Sequence, residues 1–331
     1  MVTRRQFLVG AGLVLATAAG CRMKVPTPEA QPAEPPGARP FRIALLSDTH
    51  TQDPNSIQAV AINGKLSRAV ADFRPLKPDL WLCCGDVSDH GYAGELEAFR
   101  NILQTAAKPE QLAVTTGNHE FYDKEATDEV ALARFREAFG LAKPYHNRVA
   151  GSVHVVMLAD EQWHTAPRNR EWAWLTAEQL RWFEQVLQEH REMVTVVCLH
   201  QPLQETVAWS YGGNDFAGCG QVAELKAIVK KHPQVKLWLS GHTHIPVAAE
   251  GQVVAKGGVT YAGLGSTFYQ FVPSTVDEDQ GGWPAAGGYR KDLSASQSRL
   301  LEVWPDRLVL RARDHASQAW IDGADVIIET V

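Results

Sequence analysis

From Phe41 onward, short apolar runs of strand length alternate with stretches that carry a helical pattern. Continuous apolar runs are typical of strands covered on both faces, and strand–helix alternation predicts α/β layers rather than a barrel of hairpins. The predicted strands are Phe41–Leu46, Asp79–Cys84, Gln111–Thr116, Val153–Ala159, Val194–Leu199, Val235–Leu239 and Thr260–Leu264. The predicted helices are Ala59–Phe73, Glu95–Thr105, Asp128–Phe139 and Thr176–Glu189.

The end of the chain follows a different pattern. Arg299–Trp304 and Arg307–Arg313 flank the turn signal Pro305-Asp306, which predicts a C-terminal β-hairpin that closes one edge. Neither an internal repeat nor a second linker interrupts residues 41–331, so we predict that they form one domain. The formal net charge of −6 argues against a protein that coats nucleic acid, whose surface would be basic.

The first 40 residues are predicted to be an export signal and a spacer. Residues 1–21 have a basic start and a short uncharged apolar stretch, which is the pattern of a signal peptide. The pair Arg4-Arg5 resembles a twin-arginine signal, and Ala18-Ala19-Gly20-Cys21 resembles a bacterial lipobox, in which the cysteine is lipidated. The alternative is a plain cleaved signal with an incidental cysteine. Residues 22–40 are rich in proline and predict an extended linker.

This N-terminal pattern predicts where the protein acts. We expect it to be exported across the cytoplasmic membrane, as a periplasmic protein or a membrane-anchored lipoprotein. A lipid on Cys21 would be its sole contact with the membrane, because no apolar run reaches the length that spans a bilayer.

Polar clusters follow five of the predicted strands. They are Ser47-Asp48-Thr49-His50, Gly85-Asp86-Val87-Ser88-Asp89-His90, Gly117-Asn118-His119-Glu120, the single His200, and Ser240-Gly241-His242-Thr243-His244. In open α/β sheets, ligands collect beyond the carboxyl ends of the strands. We therefore expect seven metal-capable side chains to converge there, namely Asp48, His50, Asp86, Asn118, His200, His242 and His244.

The ordered motifs Asp-x-His, Gly-Asp, Gly-Asn-His-Glu, a lone His and Gly-His-x-His resemble the calcineurin-like metallophosphoesterase superfamily over residues 41–244. The resemblance implies a two-sheet β-sandwich flanked by helices and two divalent metal ions. It implies that Asp48, His50 and His244 hold one ion, that Asn118, His200 and His242 hold the other, and that Asp86 bridges them. His119 matches the non-ligand histidine that faces the substrate in this superfamily, and Asp89 and His90 match positions that support the ligands.

The chemistry of such a centre explains the residue types. Two divalent ions lower the pKa of water, and a hydroxide that bridges them attacks phosphorus. A shell rich in neutral histidine and amide ligands leaves the centre positive and attractive to phosphate. His119 is the candidate general acid that protonates the leaving oxygen. We therefore predict a metal-dependent phosphoesterase that acts on a small phosphate mono- or diester rather than on a nucleic acid polymer.

The export signal bears on the identity of the metal. A twin-arginine substrate is exported folded, so the ions would be loaded in the cytoplasm. Loading there would protect manganese or iron from competition by zinc, which binds nitrogen and oxygen ligands more tightly. We therefore favour Mn or Fe, with Zn as the alternative.

Two other functions fit the same motifs. One is a non-catalytic cell-surface binding lipoprotein on a phosphoesterase fold. The other is a monoesterase that resembles purple acid phosphatases. That branch carries a tyrosine ligand in Gly-Asp-x-x-Tyr, and Asp89 occupies its position here.

Aromatic and cysteine residues complete the predictions. Six aromatic residues in loops after strands could form a wall for a nucleobase or an apolar leaving group, or simply anchor their loops: Trp163, Trp209, Tyr211, Phe268, Tyr269 and Trp283. The long loop from Gly265 to Arg290 is the predicted substrate-facing element.

Cys83, Cys84 and Cys198 lie in predicted buried strands and are interpreted as small apolar residues. Five cysteines without paired spacing predict no disulfide scaffold.

Overall fold

The computed structural model describes residues 39–166, 171–211, 217–273 and 289–330. The predicted signal peptide, nearly all of the predicted linker, and Trp283 with most of its loop lie outside these residues. Among the helices that are described, none has both the length and the apolar character needed to cross a membrane.

The described chain contains helices and strands in mixed order. The helices are α1 (Ala59–Phe73), α2 (Ala93–Leu103), α3 (Asp128–Phe139), α4 (Ala177–Glu189) and α5 (Val222–Lys231). The strands before α5 are β1 (Phe41–Leu46), β2 (Leu80–Cys84), β3 (Leu112–Thr115), β4 (His146–Ala150), β5 (Val153–Met157) and β6 (Val194–Cys198). After it come β7 (Val235–Ser240), β8 (Val253–Lys256), β9 (Val259–Gly263), β10 (Gln270–Pro273), β11 (Tyr289–Asp292), β12 (Gln297–Val303), β13 (Arg307–Asp314), β14 (Ala319–Trp320) and β15 (Val326–Glu329).

Every strand and helix that the sequence predicts is present, with ends that differ by no more than two residues. The structure also contains α5 and the strands β4, β8, β10, β11, β14 and β15, which were not predicted from the sequence. Most of these strands are short and lie at sheet edges or in the small ribbon formed by β10 and β11. A half-exposed edge strand such as β4 has no continuous apolar run, so it has no clear signal in the sequence.

The strands form two large sheets and the small ribbon. The first sheet has the order β14-β13-β12-β1-β2-β3, with β15 also paired to β13, and its strands β1, β2 and β3 are parallel. The second has the order β4-β5-β6-β7-β9-β8, and β5, β6, β7 and β9 are parallel. The predicted C-terminal hairpin is confirmed as β12 and β13. It does not close an edge, because it extends the sheet from β1 and carries β14 and β15 beyond it.

The two sheets pack face to face, and helices cover their outer faces. Leu45, Leu82, Val196 and Leu237 are fully buried in the cluster between the sheets. A second cluster joins the first sheet to α1, α2 and α3, and a third joins the second sheet to α4 and α5. The predicted two-sheet α/β sandwich flanked by helices is confirmed.

A disulfide between Cys84 and Cys198 links the last residue of β2 to the last residue of β6, with the Cα atoms 6.1 Å apart. The interpretation of these two cysteines as apolar residues is therefore wrong. The sequence could not reveal the pair, because 114 residues separate the two cysteines and they meet only when the sheets pack. Cys83 points to the opposite face of β2 and is buried against the helices, as expected.

Candidate metal centre

The carboxyl ends of the parallel strands from both sheets meet at one edge of the sandwich. The hydroxyl of Thr116, after β3, donates to the carbonyl of Asp160, after β5, at 2.8 Å. The amide of His242, after β7, donates to both carboxylate oxygens of Asp48, after β1, at 2.9 and 3.0 Å. Hydrogen bonds thus join the strand ends of one sheet to those of the other, as the sequence predicts.

Left-handed backbone conformations mark this edge. Asp48, His50, Asp86, His242 and His244 have φ values of 52°, 45°, 49°, 68° and 50°. Side chains other than glycine adopt positive φ rarely and at an energetic cost, and such strain clusters at functional sites. All five belong to the predicted metal-ligating set, which indicates that the loops are held in this conformation to aim side chains at a common point.

Four buried side chains form a first group: Asp48, His50, Asp86 and His244. The Nε2 atom of His244 lies 3.0 Å from Nε2 of His50 and 3.0 Å from Oδ1 of Asp48. The Nε2 atom of His50 lies 3.9 Å from Oδ2 of Asp86. Two imidazole nitrogens and carboxylate oxygens therefore converge on one small volume, which fits a divalent ion bound by nitrogen and oxygen.

A second group shares Asp86 and adds His200 and His242. The Nε2 atom of His200 is 3.1 Å from Oδ2 of Asp86, and Nδ1 of His242 is 2.9 Å from Oδ1 of Asn118. His200 donates from Nδ1 to the carbonyl of Cys84 at 2.7 Å, which leaves Nε2 for a metal. The structure thus brings all seven predicted side chains together, in the two groups that the motifs imply, with Asp86 in both.

The charges of the centre also fit cations. Burial opposes protonation of His200, but Asp86 and Asp48 outweigh it and raise the pKa of His200 to about 10. Burial lowers the pKa of His50 to about 4, with His119 adding to the effect. Although burial opposes it, neighbouring histidines hold the pKa of Asp86 well below its usual range. A metal site requires buried ionised carboxylates such as Asp86, which attract positive charge, and neutral imidazoles such as His50.

Glu120 holds two of the ligand loops in place. Its carboxylate accepts hydrogen bonds from the amides of Asp86 and Ser88 at 3.0 Å each, from the hydroxyl of Ser88 at 2.8 Å, and from the amide of Gly117 at 2.6 Å. Glu120 belongs to the Gly-Asn-His-Glu motif, but no role was predicted for it. Its position directly after His119, the candidate general acid, was the available sign of a role at the centre.

Gly117 is required by space rather than by its φ angle. A Cβ atom at this position would lie 2.6 Å from Cδ2 of His200, far inside van der Waals contact. Any larger residue would displace the ring of His200.

His119 lies beside the two groups. Its Nδ1 atom donates to the carbonyl of Asp89 at 2.8 Å, and its Nε2 atom lies 4.0 Å from Oδ2 of Asp86. The side chain is 23% exposed, so it reaches both the centre and solvent. Burial opposes its protonation, but Asp86 and Asp89 outweigh this and raise the pKa of His119 to about 9. A protonated ring at this position can donate a proton to a bound substrate.

Asp89 contacts both histidines of this region. Its Oδ1 atom is 3.2 Å from Nδ1 of His50 and 3.4 Å from Nδ1 of His119, and its Oδ2 atom accepts from Gln52 at 2.7 Å. His90 in turn lies 3.3 Å from Asp89. Asp89 thus orients His50 and His119 together, in the supporting position that the motifs imply.

Aromatic side chains lie on two sides of the histidines. Tyr269 packs on His244 at 4.1 Å between ring centroids, and Phe268 packs on His50 at 5.5 Å. Tyr122 packs on His119 at 4.2 Å, with Trp163 behind it at 5.5 Å. Of the aromatic residues predicted to form a wall, Phe268 and Tyr269 therefore contact histidines of the centre, and Trp163 lies one ring further away, against Tyr122. Trp209 instead packs on Phe271, Tyr211 is half exposed, and Trp283 lies outside the described residues.

Comparison with known proteins agrees with this geometry. The profile of the calcineurin-like phosphoesterase family matches residues 41–246. A 3',5'-cyclic-nucleotide phosphodiesterase of Nostoc sp. is 25% identical over 239 residues, which cover 70% of this chain and 80% of that protein. A probable cyclic nucleotide phosphodiesterase of Synechococcus sp. is 28% identical over 243 residues, which cover 71% of this chain and 83% of that protein.

Two solved structures share the fold. A dimetal phosphatase from Danio rerio has a TM-score of 0.59 at 14% identity, and the match covers 89% of this chain and all of that one. A purple acid phosphatase from yellow lupin has a TM-score of 0.57 at 13% identity, covering 87% of this chain and 53% of that one. At such low identity these matches support the fold alone.

The family profile spans more than half of the chain and covers all seven converging side chains and His119. The protein therefore belongs to the calcineurin-like phosphoesterase family and is a hydrolase that acts on phosphoester bonds.

Proposed function

We propose that this protein is a two-metal phosphodiesterase that hydrolyses the 3',5'-diester of a cyclic nucleotide. The observation that carries the proposal is the pair of buried ligand groups that share Asp86, with His119 beside them. The relatives named as cyclic-nucleotide phosphodiesterases match most of the chain, which supports this substrate class.

The ligand residues would hold two metal ions in two groups. Asp48, His50 and His244 would hold one ion, Asn118, His200 and His242 would hold the other, and Asp86 would contact both. When bound, the two ions would supply an ionised water as nucleophile and would stabilise the charge that develops on the phosphoryl oxygens. Fixing these ligands is the task of the strained loops and of Glu120.

His119 would act on the leaving group. Because its Nδ1 atom donates to the carbonyl of Asp89, its Nε2 atom is the one that faces the centre. From there it would give a proton to the ribose oxygen as the phosphorus–oxygen bond breaks. This proton matters most when the leaving alcohol is a poor acid, as a ribose hydroxyl is.

The aromatic side chains support a nucleotide rather than a simple phosphate ester. Tyr269 and Phe268 lie on one side of the histidines and Tyr122 and Trp163 on another. A nucleobase gains about 1–3 kcal/mol by stacking on such a ring. Substitution of Tyr269 by Leu should therefore weaken binding of a cyclic nucleotide more than binding of bis(p-nitrophenyl) phosphate.

The test is a substrate panel with the mature protein loaded separately with Mn²⁺, Fe²⁺ and Zn²⁺. It contains 3',5'-cyclic AMP and GMP, bis(p-nitrophenyl) phosphate, p-nitrophenyl phosphate and 5'-AMP. We expect the highest kcat/KM for a cyclic nucleotide. Preference for the monoesters would instead assign a phosphatase, and no turnover with any metal would overturn the proposal.

We further propose that the protein is exported and that its metals are Mn or Fe. The Cys84–Cys198 disulfide supports export, because disulfides persist in oxidising compartments. Replacing Arg4 and Arg5 together by lysine should retain the protein in the cytoplasm, and Cys21→Ser should release it from the membrane fraction. Wild-type protein found in the cytoplasm would contradict export. Native protein that contains zinc alone would contradict the assignment of Mn or Fe.

A further inference from the structure

We infer that Tyr122 is a positioning residue that fixes the orientation of the Asn118 side chain, so that the oxygen of its amide faces the metal centre. The inference rests on the proposed role of Asn118 as a metal ligand. It concerns a residue outside the set of predicted ligands, four positions further along the chain.

The contacts form a relay of three side chains. The Nδ2 atom of Asn118 donates to the hydroxyl of Tyr122 at 2.8 Å, and that hydroxyl donates to Oε2 of Glu171 at 3.2 Å. On its other side, Oδ1 of Asn118 lies 2.9 Å from Nδ1 of His242. The amide is therefore held at both of its ends.

The direction of the relay follows from the chemistry of its members. An ionised carboxylate only accepts hydrogen bonds, so Glu171 takes the single hydroxyl proton of Tyr122. The tyrosine oxygen is then left with lone pairs and must face the amide nitrogen of Asn118 rather than its oxygen. Glu171 thus fixes the direction in which the Tyr122 hydroxyl donates. The Tyr122 oxygen then accepts from Nδ2 of Asn118, and Oδ1 of Asn118 is left facing His242.

This orientation matters because the two ends of an amide differ chemically while having nearly the same shape. The oxygen is a metal ligand, whereas the NH₂ group has only donors to offer and would be repelled by a cation. Without the tyrosine hydroxyl, the two orientations of Asn118 become closer in energy. Residues that orient a ligand in this way typically change metal affinity 10- to 100-fold when they are replaced.

The experiment uses Tyr122→Phe, which removes the hydroxyl and keeps the ring on His119. Mn²⁺ alone is titrated into the metal-free protein, and bound metal per chain and heat of binding are measured. We expect one of two Mn²⁺ sites to weaken at least about 10-fold. The melting temperature of the metal-free protein should change little, because the ring and its packing remain.

Two further variants sharpen the result. Tyr145→Phe removes the hydroxyl of a tyrosine that also lies beside a glutamate, Glu178, but outside the metal-capable groups, and should leave both Mn²⁺ affinities unchanged. In Glu171→Gln, the glutamine amide can donate to Tyr122 as well as accept from it, so the direction of the Tyr122 hydrogen bond is no longer fixed. This variant should weaken the same Mn²⁺ site as Tyr122→Phe. Equal Mn²⁺ affinities in wild type and Tyr122→Phe would overturn the inference.

Asn118→Ala separates failure of this inference from failure of the ligand assignment. If it binds two Mn²⁺ ions as tightly as wild type, Asn118 is not a ligand and the assignment itself fails. If it loses one site while Tyr122→Phe does not, the assignment stands and the positioning role of Tyr122 is wrong.

Discussion

At the scale of single residues, the Gly-Asn-His-Glu segment combines four tasks in consecutive positions. Gly117 leaves room for the ring of His200, Asn118 offers an oxygen, His119 reaches both the centre and solvent, and Glu120 bonds the amides of two loops. Four neighbouring backbone positions thus meet separate structural demands at one point. Substitutions in this segment should therefore have distinct effects.

His119→Ala tests most directly whether proton donation can be lost without loss of metal binding. We expect kcat to fall about 10²- to 10⁴-fold for a cyclic nucleotide, because a general acid contributes in that range. The loss should be much smaller for bis(p-nitrophenyl) phosphate, whose leaving group needs no proton. Metal content should stay at the wild-type level, since His119 is not in the predicted ligand set.

The matched control is His90→Ala, which replaces a nearby, half-exposed histidine that contacts Asp89. It should retain most of the activity. An equal loss of rate on both substrates in His119→Ala, or loss of metal, would contradict the role of general acid.

At the scale of elements, a buried ion-pair network joins α1 to the C-terminal hairpin. Asp72 on α1 accepts from Arg313 on β13 at 2.7 and 2.9 Å and from His315, just after β13, at 2.8 Å. The Nε2 atom of His315 forms a second hydrogen bond, at 2.7 Å, with the hydroxyl of Ser298 on β12. The outer half of the first sheet is thereby fastened to the helix that covers it.

Asp72→Asn should lower the free energy of unfolding at pH 7 by up to about 3 kcal/mol, because it leaves a buried guanidinium without its partner. Burial opposes ionisation of Asp72, yet hydrogen bonds from Arg313 and His315 outweigh it and lower its pKa. A lowered carboxyl pKa stabilises the fold above the unfolded value near pH 4 and stops doing so as the pH falls through the folded value.

The difference between wild type and Asp72→Asn should therefore shrink as the pH falls below about pH 4, where Asp72 takes up a proton in the unfolded chain. Urea unfolding of the metal-free proteins at several pH values measures it, and removing metal avoids competition between protons and ions at the ligands. A difference that grows as the pH falls below about pH 4 would show that the network does not stabilise through the charge of Asp72.

At the scale of the whole molecule, the Cys84–Cys198 disulfide crosses the sandwich directly beside the candidate metal centre. Cys84 precedes Gly85 and Asp86, and Cys198 lies two residues before His200. The cross-link joins the loop that carries Asp86 in one sheet to the strand that precedes His200 in the other. It therefore stabilises the association of the two halves on which the centre depends.

Replacing both cysteines by alanine should lower the free energy of unfolding by about 2–5 kcal/mol, the usual effect of losing a native disulfide that closes a long loop. Alkylation of the unfolded, unreduced protein followed by mass spectrometry identifies the free thiols directly. Cys83 and Cys219 should be labelled and Cys84 and Cys198 should not. Labelling of all four in exported protein would refute the cross-link, and Cys83→Ala alone is the control for removal of a buried thiol.

The sequence by itself predicted nine of the fifteen described strands, four of the five described helices and the side chains that converge at the centre. Apolar runs such as Val194–Cys198 record burial on both faces, and the polar cluster after each run records where parallel strands end. Both signals are local, so they can be recognised without knowing which strand lies beside which. The same holds for Asp48, His50, His242 and His244, whose short spacing is visible in the chain.

The tertiary structure alone decided which distant residues meet. The disulfide and the contact of Glu171 with Tyr122 depend on chain segments that the sequence does not mark as neighbours. Their contacts form because burial of the two sheet faces fixes how the layers pack. A pair separated by 114 residues, such as Cys84 and Cys198, is fixed only by that packing and leaves no periodic pattern in the chain.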